Sequence, residues 1–201
     1  SCRLLKERYA GSDLRINECT LPADGSYAGF DFEEGVTLEE LMDKALFQDD
    51  TEEFERLFER YLQLISYGED SGVTDYDLIF ANILVKDDRF TVIDYEWTME
   101  EKISTKEIAF RAIYCYILEE ERRNKLDLDR IMREKHIPLF ALESQDPITE
   151  FDFLGITIQY EMCYTNILQV LDLSGIPLLA KDRMDKDPIV IGGGPCTYNP
   201  E

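Results

Sequence analysis

The sequence predicts an α+β fold, in which a mainly helical part with a β-hairpin precedes a partial βαβ segment. Three observations lead to this prediction. Two short apolar runs flank a polar connection at residues 83–93, amphipathic helical patterns lie on both sides of them, and a strand–helix–strand pattern fills residues 151–195. The 201 residues, 44% of them hydrophobic, are enough for one or two domains with a sizeable core.

The hairpin is the element around which the first part is organised. Its apolar runs, Ile83–Val85 and Phe90–Ile93, are joined by a polar turn. Antiparallel closure brings Asn82, before the first run, near Asp94, after the second. An amide oxygen beside a carboxylate suits Mg²⁺, and Asp77 is placed to accept a proton from a hydroxyl group. From spacing alone, a hairpin with solvated turn carboxylates is an equal alternative.

Capping patterns predict where the helices around this hairpin begin. Thr37 with Glu40 forms a capping box, and Asp50 with Glu53 opens a second helix. That helix carries one continuous apolar stripe, which predicts a packing role: Phe54, Leu57, Phe58, Tyr61, Leu62 and Ile65. A further cap at Ser104 predicts a helix through Glu119 that is apolar over most of its circumference and therefore buried on more than one side.

The run Asp-Tyr-Asp-Leu-Ile-Phe-Ala-Asn at 75–82, followed by Val-Ile-Asp at 92–94, resembles the catalytic and metal-binding loops of aminoglycoside and choline kinase-type phosphotransferases. The resemblance implies that residues 1–130 form a protein-kinase-like large lobe, with most of the small lobe missing. Asp77 would orient or deprotonate a small hydroxylated acceptor, while Asn82 and Asp94 would hold magnesium on the phosphates of ATP. The chain lacks the glycine-rich loop and lysine of that family, so we expect little or no activity from it alone.

The last part of the chain changes in character. An apolar strand pattern at 151–158, a helical pattern at 165–173 and a second strand running into glycines at 187–195 predict a βαβ crossover. Such a crossover implies parallel pairing and a partial Rossmann-like layer.

Three runs in this part resemble the cobalamin-binding-like N-terminal region of a radical S-adenosylmethionine protein family. They lie at 133–144, 159–166 and 191–201. The resemblance assigns residues 131–201 to that region and implies that Gly192, Gly193 and Gly194 lie against the tail of a corrinoid. Cobalamin and S-adenosylmethionine are then possible cofactors, although the Cys-x3-Cys-x2-Cys run that would hold an iron–sulfur cluster does not occur in the sequence.

Composition narrows the classes of partner. The net charge of −22 disfavours binding to nucleic acid and to anionic membranes, and no apolar run reaches the length of a membrane span. Five scattered cysteines, with no Cys-x-x-Cys pair, fit a reducing compartment, so we expect a cytoplasmic protein. The only histidine, His136, is predicted to be a surface residue at a helix end.

The two resemblances meet between about Leu126 and Arg133, and a natural fusion, a truncated chain and a gene-assembly artefact all fit the sequence. Three functions are open. The first is the phosphotransferase, which is the main prediction because its candidate residues are present. The second is a piece of a radical S-adenosylmethionine protein. The third is a non-catalytic interaction module, whose incomplete layers leave apolar edges for a protein partner to cover.

Overall fold

A computed structural model describes residues 1–144 and 146–198. The chain divides into two compact units, Ser1–Leu126 and Asp127–Glu201. The described residues include six α-helices and several small sheets, which confirms the predicted α+β class. None of the described helices is both long enough and apolar enough to cross a membrane.

The first unit contains four α-helices, and their caps follow the sequence patterns. In chain order they are α1 (Cys2–Arg8), α2 (Leu38–Phe47), α3 (Thr51–Ser66) and α4 (Thr105–Glu119). Thr37 and Glu40 form the complete capping box of α2, and the Asp50 and Ser104 side chains accept backbone N–H groups at the starts of α3 and α4. The predicted helix starts are therefore confirmed.

Helix α3 supplies the apolar centre of this unit. Five of the six side chains of the predicted stripe are buried. The sixth, Leu62, is half-buried, and Leu64, which was not predicted, is buried instead. Tyr61 packs edge-on against Phe80 with ring centroids 4.8 Å apart. The Tyr61 hydroxyl donates a 2.8 Å hydrogen bond to the carbonyl oxygen of Leu78, so the aromatic core also anchors the loop before the hairpin.

The strands of the first unit are short. They are β1 (Leu14–Ile16), β2 (Cys19–Thr20), β3 (Gly29–Phe30), β4 (Val36–Thr37), β5 (Thr74–Asp75), β6 (Ile83–Lys86), β7 (Arg89–Val92) and β8 (Thr98–Met99). Four of them form a sheet in the order β1-β7-β6-β4, while β2 pairs with β3 and β5 pairs with β8.

The predicted hairpin is confirmed as the antiparallel pair β6–β7, with Ile83 opposite Val92. Its two turn residues, Asp87 and Asp88, have φ angles of +49° and +60°, as a type I′ turn requires. The hairpin and the helices agree with the predicted class, while a protein-kinase-like large lobe stays a prediction.

The second unit contains α5 (Leu128–Glu134), β9 (Phe153–Thr157), α6 (Cys163–Leu173) and β10 (Ile189–Gly193). Strands β9 and β10 are parallel, with Phe153 opposite Ile189, which confirms the predicted βαβ pairing. These two strands make up the whole sheet within the described residues. A Rossmann-like layer needs a wider sheet with helices on both faces, so that finer part of the prediction is not established.

Both helices of this unit end in the same way. After α6, Gly175 has φ +72°, the Ile176 N–H donates to the Leu171 carbonyl, and both of these apolar side chains are buried. After α5, His136 takes the left-handed position at φ +52°. His136 is exposed there, in agreement with the surface position predicted for it.

Candidate functional sites

Asp77 and Asn82 are joined directly within the loop before the hairpin. The Asn82 side-chain amide donates to the Asp77 backbone carbonyl at 2.9 Å and to its carboxylate Oδ2 at 3.0 Å. These two bonds close the loop on itself. Both bonds use the amide nitrogen of Asn82, so the amide oxygen takes no part in them. A metal ion would need that oxygen as its ligand.

Arg111, which sequence reasoning missed, holds the other oxygen of the same carboxylate. Its Nη2 donates to Asp77 Oδ1 at 2.8 Å and its Nε donates to the Tyr76 carbonyl at 3.1 Å. The guanidinium lies 4.6 Å from the centroid of the Tyr76 ring, which itself stacks on Trp97. The available signal was an arginine within the otherwise uncharged run 108–118 of α4, because a charge on a partly buried helix needs a partner.

Asp94 lies at the same end of the hairpin as Asn82. The Ile93 N–H donates to the Asn82 carbonyl at 3.0 Å, which places Asp94 one residue beyond the last cross-strand bond. Asp94 is exposed, and its carboxylate accepts the Glu96 N–H at 3.3 Å. The fold therefore brings together the backbone positions of the three residues predicted for catalysis and metal binding, while their roles stay predictions.

A third carboxyl group, Asp75, lies beneath this site and was also missed. It is 1% exposed; one oxygen accepts the Asp77 N–H at 3.2 Å and the other has no hydrogen-bond partner. Burial raises the pKa of Asp75 to about 7, and the negative charges of Asp77 and Asp94 add to that effect. A carboxyl group in this state is partly protonated at neutral pH.

The glycine turn of the second unit follows β10. Gly194 has φ +101°, and a Cβ atom there would lie 2.6 Å from the Ile158 carbonyl oxygen. A Cβ atom on Gly192 would lie 3.3 Å from Ile158 Cδ1, whereas one on Gly193 would meet nothing within 4 Å. Close packing of the ends of two parallel strands thus accounts for Gly194, and Gly193 has the open surroundings that a ligand would need.

Metal-binding side chains are not clustered in the part of the chain that the structure describes. No group of three or more histidine, cysteine, aspartate or glutamate side chains there could hold a metal ion. Residues 117–201 contain two cysteines, Cys163 and Cys196, fewer than the three of the run that the resemblance implies for an iron–sulfur cluster.

Comparison with known proteins gives one family for part of the chain. Residues 117–201 match the model of radical SAM proteins, N-terminal. No curated protein matches the chain, and we found no kinase-like relative for its first part. The match supports the resemblance of the second unit to radical S-adenosylmethionine proteins, and it begins inside α4, ahead of the boundary between the two compact units.

Proposed function

We propose that residues 117–201 serve as part of the N-terminal region of a radical S-adenosylmethionine protein. The family match over these residues is the observation that carries the proposal. The parallel β9–α6–β10 unit is consistent with such a supporting α/β region. The use of S-adenosylmethionine by the whole protein is part of the proposal, since the match is to an N-terminal region.

The residues present do not fit the iron–sulfur cluster that such chemistry requires. Thiolates hold these clusters, and the region offers Cys163 and Cys196 alone. In this proposal the cluster ligands come from other residues, and the region supports the fold around them. The residues of this chain therefore have no direct part in the radical chemistry of this proposal.

Sequencing the source DNA for roughly a hundred codons on either side of this segment tests the proposal. We expect an in-frame Cys-x3-Cys-x2-Cys run downstream, because thiolates must hold the cluster. A downstream reading frame without such a run would contradict the proposal. The same DNA sequence separates a natural fusion from a truncated chain or an assembly artefact. An upstream glycine-rich loop and lysine in the same reading frame would indicate a second complete enzyme.

The corrinoid assignment of Gly192, Gly193 and Gly194 is a finer part of this proposal. Only Gly193 has open space at the position of a side chain, so Gly193→Val should weaken binding by blocking the approach of a ligand. Gly155→Val is the matched control, because Gly155 lies on β9 and its Cβ position is equally open. The probe is hydroxocobalamin, followed by its absorbance spectrum. An unchanged spectrum with the unaltered chain would remove cobalamin from the proposal.

A phosphotransferase is the second candidate, and it applies to the first unit. The observation that favours it is the bonded pair Asp77–Asn82 at the end of the hairpin where Asp94 follows β7. Mg²⁺ is usually held by one or two carboxylates together with substrate phosphates. Here Asp94 and Asn82 would be the protein ligands, and the phosphates would come from ATP. Asp77, fixed by Arg111, would then orient the hydroxyl group of a small acceptor.

Binding of ATP in the presence and absence of magnesium tests this candidate without requiring turnover. Asp94→Asn should abolish the magnesium-dependent part of the affinity, because it removes the charged ligand. Asp87→Asn is the matched control: it makes the same change of charge at the exposed hairpin tip, where asparagine tolerates the positive φ angle. Equal losses in the two variants would exclude a specific metal site at Asp94.

A protein partner that covers apolar edges also remains a proposal. In the second unit, Phe153, Ile189 and Ile191 are each more than half exposed on the two paired strands. Static light scattering of the purified chain tests for association through such surfaces, and a monomer at high concentration would argue against them.

A further inference from the structure

Two cysteines of the first unit lie at one pocket. The pocket, of about 630 Å³, lies between α1 and the segment around β2, and Cys2 and Cys19 both line it. Both residues are partly exposed and carry free thiols. Small reagents in solution can therefore reach the two sulfur atoms from the same opening.

The Asn17 carbonyl holds Cys2 next to the segment that carries Cys19. Tyr95 is 6% exposed, and its hydroxyl donates a 3.0 Å hydrogen bond to the Asn17 carbonyl, which also accepts the Cys2 thiol at 3.6 Å. Asn17 lies two residues before Cys19 in the chain. The bond from Cys2 to the Asn17 carbonyl therefore makes the two thiols neighbours in space, although 17 positions separate them in the sequence.

We propose that Cys2 and Cys19 form a redox pair that a small-molecule disulfide, such as glutathione disulfide, converts into an intramolecular disulfide. One protein thiolate attacks glutathione disulfide, breaks its S–S bond and forms a mixed disulfide while one glutathione thiolate leaves. The second protein thiolate attacks the mixed disulfide at the protein sulfur and releases the second glutathione. The protein loses two electrons and two protons, and glutathione disulfide gains them as two thiols.

The consequence is a covalent link between α1 and β2. Tyr95, whose hydroxyl binds the same Asn17 carbonyl as the Cys2 thiol, directly follows Asp94 in the chain. The oxidised and reduced forms therefore differ in the contacts of a residue next to the candidate metal ligand. The proposal concerns the thiols themselves and holds whatever function the first unit has.

The test uses the full chain with Cys163→Ser and Cys196→Ser, because these two free, partly exposed thiols could form competing links. The protein is incubated with glutathione disulfide and digested, and its peptides are mapped by mass spectrometry. We expect a linked pair of peptides containing Cys2 and Cys19, a fall from three free thiols to one, and reversal by dithiothreitol. The unaltered chain, mapped in parallel, should give the same linked peptides.

Cys19→Ser in the same background is the control, and it should leave a glutathione adduct on Cys2 because no second thiol can displace it. Stable glutathione adducts on both Cys2 and Cys19 without a link would overturn the proposal. Links to Cys115, or dimers joined through Cys2 as the main product, would overturn it equally.

Discussion

Arg123 makes the densest set of polar contacts in the first unit, and replacing its partner Asp43 is the sharpest test of how that unit is held together. Arg123 follows α4 and is 4% exposed. Its Nε and Nη2 donate to the two carboxylate oxygens of Asp43 at 2.8 and 2.7 Å, and Nη2 lies 2.9 Å from Glu39. The guanidinium also lies 4.1 Å from the centroid of the Tyr116 ring.

The change Asp43→Asn leaves a buried guanidinium without its two-point carboxylate partner. Breaking a buried ion pair from one side costs about 3–5 kcal/mol, and we expect about 2–3 kcal/mol here because Glu39 remains as a second partner. Glu53→Gln is the matched control: Glu53 also binds an arginine, Arg56, through two bonds of 2.7 Å. That pair is exposed, so its loss should cost at most about 1 kcal/mol.

Urea unfolding followed by the fluorescence of Trp97 measures both variants. Trp97 is the only tryptophan of the chain and lies in the first unit, so the signal reports on that unit. With a urea m-value of about 1–3 kcal/mol per molar, Asp43→Asn should lower the midpoint by about 0.7–3 M. A midpoint no lower than that of Glu53→Gln would refute the reasoning that burial makes this ion pair important.

Three further predictions concern single residues. Gly194→Ala should destabilise the second unit by about 1–3 kcal/mol, because of its φ angle and the nearby Ile158 carbonyl. Gly193→Ala, with open surroundings, is the control in thermal unfolding followed by circular dichroism, and equal midpoints would contradict the packing argument. Asp75 binds its proton more tightly in the folded chain, so its contribution to stability is full below its ordinary pKa of 3.8 and is lost as the pH rises through about 7. Asp75→Asn should flatten that part of the stability–pH curve, and an unchanged slope would mean that the group is not buried in solution. Asp88→Gly should raise the free energy of unfolding by about 0.5–1 kcal/mol and therefore raise the urea midpoint slightly, since glycine adopts the left-handed turn conformation without steric cost. A lower midpoint would argue against the type I′ turn.

The elements that the sequence predicted well are those fixed by local interactions. Helix caps at Thr37, Asp50 and Ser104 involve residues three positions apart, and the hairpin is fixed by a two-residue turn between apolar runs. Each of these patterns is complete within a few residues. They could therefore be recognised without knowing how the rest of the chain folds.

The contacts that the sequence did not predict connect distant parts of the chain. Arg111 binds Asp77 across 34 positions, and the buried Asp75 pairs with Thr98 on a distant strand. The glycine run is an intermediate case: a turn was predicted at its place, but the close approach of Ile158 to Gly194 is a tertiary contact. A glycine required by packing and a glycine required by a ligand look the same in a single sequence.

Each candidate site lies within one compact unit, so support for one does not extend to the other. The residues around Asp77 and Asp94 belong to Ser1–Leu126, and the glycine turn belongs to the second unit. The family match begins at residue 117, yet Arg123 binds Glu39 and Asp43. The first ten matched residues therefore belong to the first unit. It follows that the radical S-adenosylmethionine proposal depends on the residues beyond Leu126.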